Sequence, residues 1–338
     1  MSSNQDVAEL QQGRLRWLKN NQRLVWDNHT CMPLRCDDPR FLPELERVRD
    51  AGIHAITLNV AFGNQSCLSA LEMLRFFREW LEARPERFRL IRGAADVPEA
   101  AATGQLGVCF DIEGMDALEG EIANVEKFYN LGVRWMLAAY NRANAAGGGC
   151  LAIDTGLTTY GRAVISEMNR VGMVVCGSHC GYRTAREMID FSAEPVIFSH
   201  SNPKSMYDHP RNIPDDLMKA CASRGGVIGI NGFGPFLGRN DASIGRFVDH
   251  IAYALDLVGE DSVGLGLDYV FDGDELDALI ATDPNTFPPE FYSRGANMIE
   301  PWRLPEIIQL LEGRGYSGGA IRKVLGENHL RIAQQVWR

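Results

Sequence analysis

The chain has no apolar run of about 18 residues, the length that crosses a bilayer as a helix, so no membrane span is expected. It also has no basic excess: 34 Lys and Arg stand against 44 Asp and Glu, a formal net charge of −10. Sequence-independent nucleic-acid binding rests on cations neutralising phosphates, so the balance argues against a nucleic-acid partner and leaves small-molecule chemistry open. The opening Met-Ser-Ser-Asn-Gln-Asp has neither the basic nor the apolar segment of a secretory signal. Eight cysteines (31, 36, 67, 109, 150, 176, 180 and 221) are scattered, several of them inside apolar runs. Without a signal, reduced thiols in the cytoplasm are expected rather than a disulfide framework. Cys176 and Cys180 have no second pair, which argues against a structural Cys₄ zinc site. Gly147-Gly148-Gly149 lacks the Lys-Ser/Thr of a phosphate loop. No internal repeat, low-complexity tract or domain linker is readable.

What the chain does have is eight short apolar runs: 24–29, 55–60, 107–114, 133–140, 172–179, 195–201, 226–233 and 262–269. Continuous Val, Ile and Leu runs mark strands buried on both faces, as in a parallel sheet. Between them lie stretches of 3.6-residue periodicity, including 67–81, 121–131, 160–171 and 215–223. Thr158 and Ile213-Pro214 read as helix starts, and Gly52, Gly107, Gly132, Gly172, Gly225 and Gly226 separate helices from strands. Alternation of this kind predicts an α/β fold, a single (β/α)₈ TIM barrel over residues 1–338, with an open doubly wound sheet as the rival. Residues 1–23 read as an N-terminal extension, 272–305 as a loop over the barrel mouth, and 306–338 as C-terminal helices closing the barrel.

At the downstream ends of five of these runs sits a histidine or an acid: His29, Glu113, His179, His200 and Asp268. In a parallel barrel such ends converge on one mouth, where active sites of this fold are built. Imidazoles and carboxylates on rigid strand ends suit a divalent metal, and a carboxylate can bridge two. A metal-dependent hydrolase is therefore expected. His54, His209, His250 and His329 lie in helix-like, turn or loop settings and read as structural.

Several segments make the reading more specific. They are Asp27-Asn28-His29, Asp111-Ile112-Glu113-Gly114, Gly132-Val133-Arg134, Ser178-His179, Phe198-Ser199-His200-Ser201, Asp208-His209-Pro210-Arg211-Asn212 and Gly326-Glu327-Asn328. In this order, from about residue 24 onward, the chain resembles the renal (membrane) dipeptidase family, peptidase family M19, a branch of the amidohydrolase-like metallo-barrels. The resemblance implies two Zn²⁺ ions, one on His29, the other on His179 and His200, with Glu113 bridging. It implies hydrolysis of a dipeptide or similar small carboxylate-bearing substrate by a metal-activated hydroxide. Asp268 would move the proton to the leaving amine, Arg211 would hold the substrate carboxylate, and a homodimer is left open. On residues alone, a surface pairing of Arg211 with Asp208 or Asp215 is the alternative.

Three positions depart from the family pattern. Its strand-one His-x-Asp is here His29-Thr30-Cys31. Cys31 either supplies a thiolate ligand, leaving one or two metals, or points away as an inert thiol. The strand-four histidine that contacts substrate and oxyanion is here Tyr140, a hydrogen-bond donor without positive charge, or simply a packing residue. The last strand's Gly-x-Asp-Phe-Asp-Gly is two residues longer here, leaving Asp272 as an alternative to Asp268. These changes keep two rivals open: a metallohydrolase of a non-peptide amide or lactone, and a binding protein with a degraded metal site.

Overall fold

The apolar runs become strands. The computed structural model describes residues 23–338. Among these the strands are β1 (Trp26–Cys31), β2 (Ala55–Phe62), β3 (Phe88–Leu90), β4 (Leu106–Glu113), β5 (Val133–Leu137), β6 (Val174–Cys176), β7 (Val196–Ile197), β8 (Ile228–Ile230), β9 (Val263–Leu265) and β10 (Tyr269–Val270). The parallel order is β7-β6-β5-β4-β2-β1-β9-β8. A parallel bridge between Phe198 and Ile228 joins the two ends. There the Phe198 N–H donates to the Val227 carbonyl and the Gly229 N–H to the Phe198 carbonyl. The sheet is thus an eight-stranded parallel barrel, as expected, and not an open sheet. Two short strands were not flagged by apolar runs: β3 beside β4, and β10 beside β1. Each has at most one buried side chain. The expected extension lies outside the described residues, Arg23 excepted.

Five expected strands end early: β5 at Leu137, β6 at Cys176, β7 at Ile197, β8 at Ile230 and β9 at Leu265. His179 and Asp268 each lie three residues beyond the end of their strand, in left-handed backbone with φ of 62° and 57°, a conformation that does not extend a ladder. Helices formed where periodicity placed them, at Cys67–Glu82, Asn124–Asn130, Thr159–Val171 and Asp215–Ser223. The Thr158 hydroxyl caps the third by accepting the Gly161 N–H at 3.0 Å. Of the six glycines, 52, 132, 172 and 225 have positive φ, whereas Gly107 lies within β4.

The segment 272–305 departs from a plain loop. It contains a helix, Gly273–Thr282, whose Asp272 cap accepts the Glu275 N–H at 3.2 Å. Only Ile280 of this helix is buried, which is why the apolar period is weak. Beyond it, Phe287 and Tyr292 pack with Phe233 and Phe236 over the mouth. The opposite end is closed by the helix Asn328–Val336, whose Ile332 and Val336 pack on Trp135, Val174 and Ile197. His329 there donates to the Leu265 carbonyl at 2.9 Å, a structural role.

Strand parity sets up the site. Along β4, Val108, Phe110 and Ile112 belong to the large core against the outer helices. Their neighbours Cys109, Asp111 and Glu113 face the barrel interior, as a period of two requires. Close approach near the mouth needs glycine: a Cβ on Gly266 would stand 1.9 Å from the Ser199 carbonyl oxygen and 3.2 Å from His200 Cα. Gly266→Ala is therefore expected to push β7 away from its neighbours and cost at least about 1–3 kcal/mol. Urea unfolding checks this, and a wild-type midpoint would show that the barrel yields there at no cost.

Candidate metal centre

Glu113 stands at the centre of the converging strand ends. Its Oε1 lies 3.2 Å from His200 Nε2, 3.3 Å from His179 Nε2 and 3.6 Å from His29 Nε2. The Nε2 atoms of His179 and His200 are 3.0 Å apart. On the other side of His29, its Nε2 lies 3.4 Å from Asp268 Oδ1 and 3.5 Å from Cys31 Sγ. Two groups can each enclose one cation, His29–Glu113–His200 and His29–Cys31–Asp268, with ligand atoms within 4.8 Å of one another. Cys31 therefore points toward the cluster.

The ring tautomers follow from the partners. His29 Nδ1 donates to Asp111 Oδ2 at 3.1 Å, and Asn59 donates to the other Asp111 oxygen at 2.8 Å. His179 Nδ1 donates to Asn141 Oδ1 at 2.8 Å, because the Asn141 amide nitrogen is committed to the Thr286 carbonyl and the Tyr292 hydroxyl. His200 Nδ1 meets Ser199 Oγ at 2.8 Å, and that hydroxyl passes its own proton to Ser178. With its Nδ1 proton held on the outside, each ring can offer an Nε2 lone pair inward to a metal.

The consequence is electrostatic. Three imidazole lone pairs and one carboxylate oxygen face one another in a buried space, and Glu113 Oε1 has no hydrogen-bond donor. Such an arrangement is unfavourable unless a cation sits among the four acceptors. Tetrahedral ligands at zinc distances are about 3.3 Å apart, which matches the spacings of Glu113, His179 and His200. The residues fit a divalent metal.

Burial pushes the Glu113 carboxyl up to about 8, against the pull of His29. Burial drives His179 and His200 well below the ordinary imidazole range, with nearby positive charge adding to it, so both are neutral donors. His29 goes the other way: burial alone would lower it, but Asp111, Glu113 and Cys31 overcome that and favour the charged ring. A field that favours a proton on His29 favours any cation there. Burial holds the Cys31 thiol up at about 12.

The other expected residues take distinct places. Asp268 is held by Asn231, whose amide donates to Oδ2 at 2.7 Å. Asp27 accepts the Leu267 N–H at 2.8 Å beside it. Asp272 lies elsewhere, paired with Arg35 at 2.7 Å. The Tyr140 ring stacks on His179 at 4.1 Å, on the cavity wall above the cluster. Arg211 is buried, not on the surface: Asp208 pairs with Lys204, and Asp215 with Ser205 and Tyr253. The guanidinium donates to the His200 carbonyl at 3.3 Å, and its Nε has no partner. His209 accepts the Arg211 N–H, a structural role.

Asp111, Asn59, Asn141, Ser199 and Asn231 were not singled out from the sequence. Their signal was present: polar residues inside or at the ends of apolar runs, which a buried strand does not otherwise tolerate. Asn141, His179 and Asp268 all have positive φ, between 56° and 62°. Strained backbone of this kind clusters at functional sites.

Comparison with known proteins agrees with this geometry. A profile described as membrane dipeptidase (peptidase family M19) matches residues 38–288. The chain is 35% identical over 61% of its length to a protein of Schizosaccharomyces pombe described as an uncharacterized dipeptidase. It is 28% identical over 80% of its length to dipeptidase verJ of Clonostachys rogersoniana. These matches span 55% and 66% of the relatives' own lengths. Among solved structures, an amidohydrolase from Pseudomonas aeruginosa superposes with a TM-score of 0.86 at 28% identity, over 95% of this chain and 98% of that one. A metallo peptidase from Rhodobacter sphaeroides, solved with a phosphinate mimic of L-Ala-D-Ala, shares the fold with a TM-score of 0.77 at 20% identity, over 93% of this chain and 99% of that one.

Asp111 fixes the His29 tautomer without reaching the cluster itself. Asp111→Asn is expected to lower affinity for a divalent cation roughly 10–100-fold, measured by competition with a chromophoric chelator. Unchanged affinity would remove His29 from the centre.

Proposed function

Because the chain belongs to the membrane dipeptidase family, peptidase family M19, we propose that it is a zinc-dependent dipeptidase. It would cleave the amide bond of a dipeptide or a similar small substrate with a free carboxylate. The observation that carries this reading is the convergence of three imidazole nitrogens on Glu113 Oε1, which has no hydrogen-bond partner. His29, Glu113, His179 and His200 would hold the metals, with Cys31 beside His29 where the family has an aspartate. Bound zinc supplies a Lewis acid and brings the pKa of water near 7, so that hydroxide is available at neutral pH.

The remaining chemistry belongs to the chain's own side chains. Arg211 receives the substrate carboxylate, since its fork makes two parallel hydrogen bonds and its burial excludes competing water. Tyr140, whose phenol burial keeps protonated, donates to the oxygen on which negative charge develops. Asp268 carries a proton on Oδ1 from the attacking water to the leaving amine, while Asn231 fixes its other oxygen. A scissile carbonyl placed between Tyr140 and Asp268 lies against Glu113, and all three line one cavity. Eight unpaired cysteines suit a reducing compartment, and we assign the enzyme to the cytoplasm.

Metal analysis with a dipeptide panel, assayed by released amino acids, tests the proposal. Chelation should abolish hydrolysis and added zinc restore it. A zinc-loaded protein that cleaves N-acyl amino acids but no dipeptide would overturn the peptide reading. His200→Ala should lower kcat/KM roughly a thousandfold, the equivalent of several kcal/mol of lost charge stabilisation, and reduce bound zinc. Wild-type values would exclude it as a ligand. Cys31→Asp is expected to raise dipeptide turnover by giving the His29 side a harder ligand; a fall would mean that the thiol serves chemistry of its own.

A further inference from the structure

The cavity over the cluster is about 300 Å³ and is not neutral about what fills it. Away from Glu113 and Asp268 its wall is apolar: Met32, Leu34, Phe62, Leu276, Leu279 and Phe287. Most polar side chains on that wall are already committed. Glu275 pairs with Arg35 at 2.7 Å, Gln65 Oε1 accepts the Phe62 N–H at 2.8 Å, and Asn59 donates to Asp111 and to the Ala61 carbonyl. A polar occupant would lose its water there and gain few partners, whereas an apolar one would bury surface favourably.

Position then says which part of a substrate reaches this wall. Arg211 does not line the cavity; it lines a neighbouring one with Lys204 and Asn212, and His179 forms part of both walls. A substrate with its carboxylate on Arg211 and its scissile bond at Glu113 directs its amino-terminal residue away from Arg211. That residue enters the space enclosed by Met32, Leu34 and the Gly273–Thr282 helix.

We infer that this cavity is the subsite for the amino-terminal side chain and selects bulky apolar residues, of leucine or phenylalanine type, with Leu276 and Leu279 as specificity-determining residues. The inference rests on the dipeptidase reading. The test compares kcat/KM of the zinc-loaded protein for Leu-Gly, Phe-Gly, Gly-Gly, Gly-Leu and Gly-Phe. Filling an apolar pocket by more than one methylene is worth tenfold or more in discrimination. Leu-Gly and Phe-Gly should therefore exceed Gly-Gly by at least about tenfold, while Gly-Leu and Gly-Phe stay within about threefold of it.

Leu279→Asn, on the half-buried face of a surface helix, should reduce the Phe-Gly to Gly-Gly ratio by at least about fivefold. Hydrolysis of all five at similar rates, or a preference set by the carboxyl-terminal residue, would overturn the inference and leave the dipeptidase reading standing. Cleavage of none would overturn both. A Leu279→Asn protein with an unchanged ratio would remove the helix from specificity.

Discussion

Everything at the barrel mouth depends on one electrostatic constraint: four buried acceptors directed at one another, which only a cation among them, a proton or a metal ion, can reconcile. The rings of His29, His179 and His200 could relieve it by turning or by changing tautomer. Asp111, Asn141 and Ser199 prevent that by holding each Nδ1 proton on the outside. The polar shell behind the rings makes the inner face a cation site rather than a hydrogen-bonded knot.

The barrel supplies the stiffness this needs. Acceptors forced together repel, and a flexible loop would let them part. Here Glu113 ends a fully buried strand, and His200 follows a strand pressed against Gly229 and Gly266 without intervening side chains. His179, Asp268 and Asn141 occupy left-handed backbone, each at a cost of order 1–3 kcal/mol, which the surrounding ladder and core sustain. The same rigid rim carries an adaptable half. The capping helix and the aromatic group of Phe233, Phe236, Phe287 and Tyr292 shape the space above the cluster while leaving the acceptors undisturbed.

Much of this was legible along the chain. Glu113 and His200 were readable because imidazoles and acids recur at several strand ends together, where one alone would more often be a satisfied core residue. Thr158 was readable as a cap because capping is local, set by a hydroxyl and an N–H three residues on. Asp111 and Asn141 were harder. Their roles are defined by partners 82 and 38 residues away, and no spacing rule connects them. The helix at Gly273–Thr282 was missed because it is half-covered and its apolar period is faint.

The sequence by itself determined a parallel sheet covered on both faces, because the apolar runs of such strands must be continuous, while its closure into a barrel was decided by the pairing of Phe198 with Ile228. It also determined which residue types stand at the strand ends, and the family likeness carried by their motifs. Only the tertiary structure decided that Cys31 turns toward His29, that Arg211 is buried without an acidic partner, and that Asp268 rather than Asp272 meets the His29 ring. Each of those is a matter of distance between residues remote along the chain. Which side of the sheet a residue faces after a left-handed turn, and what lies across the barrel from it, is set when the strands close and not before.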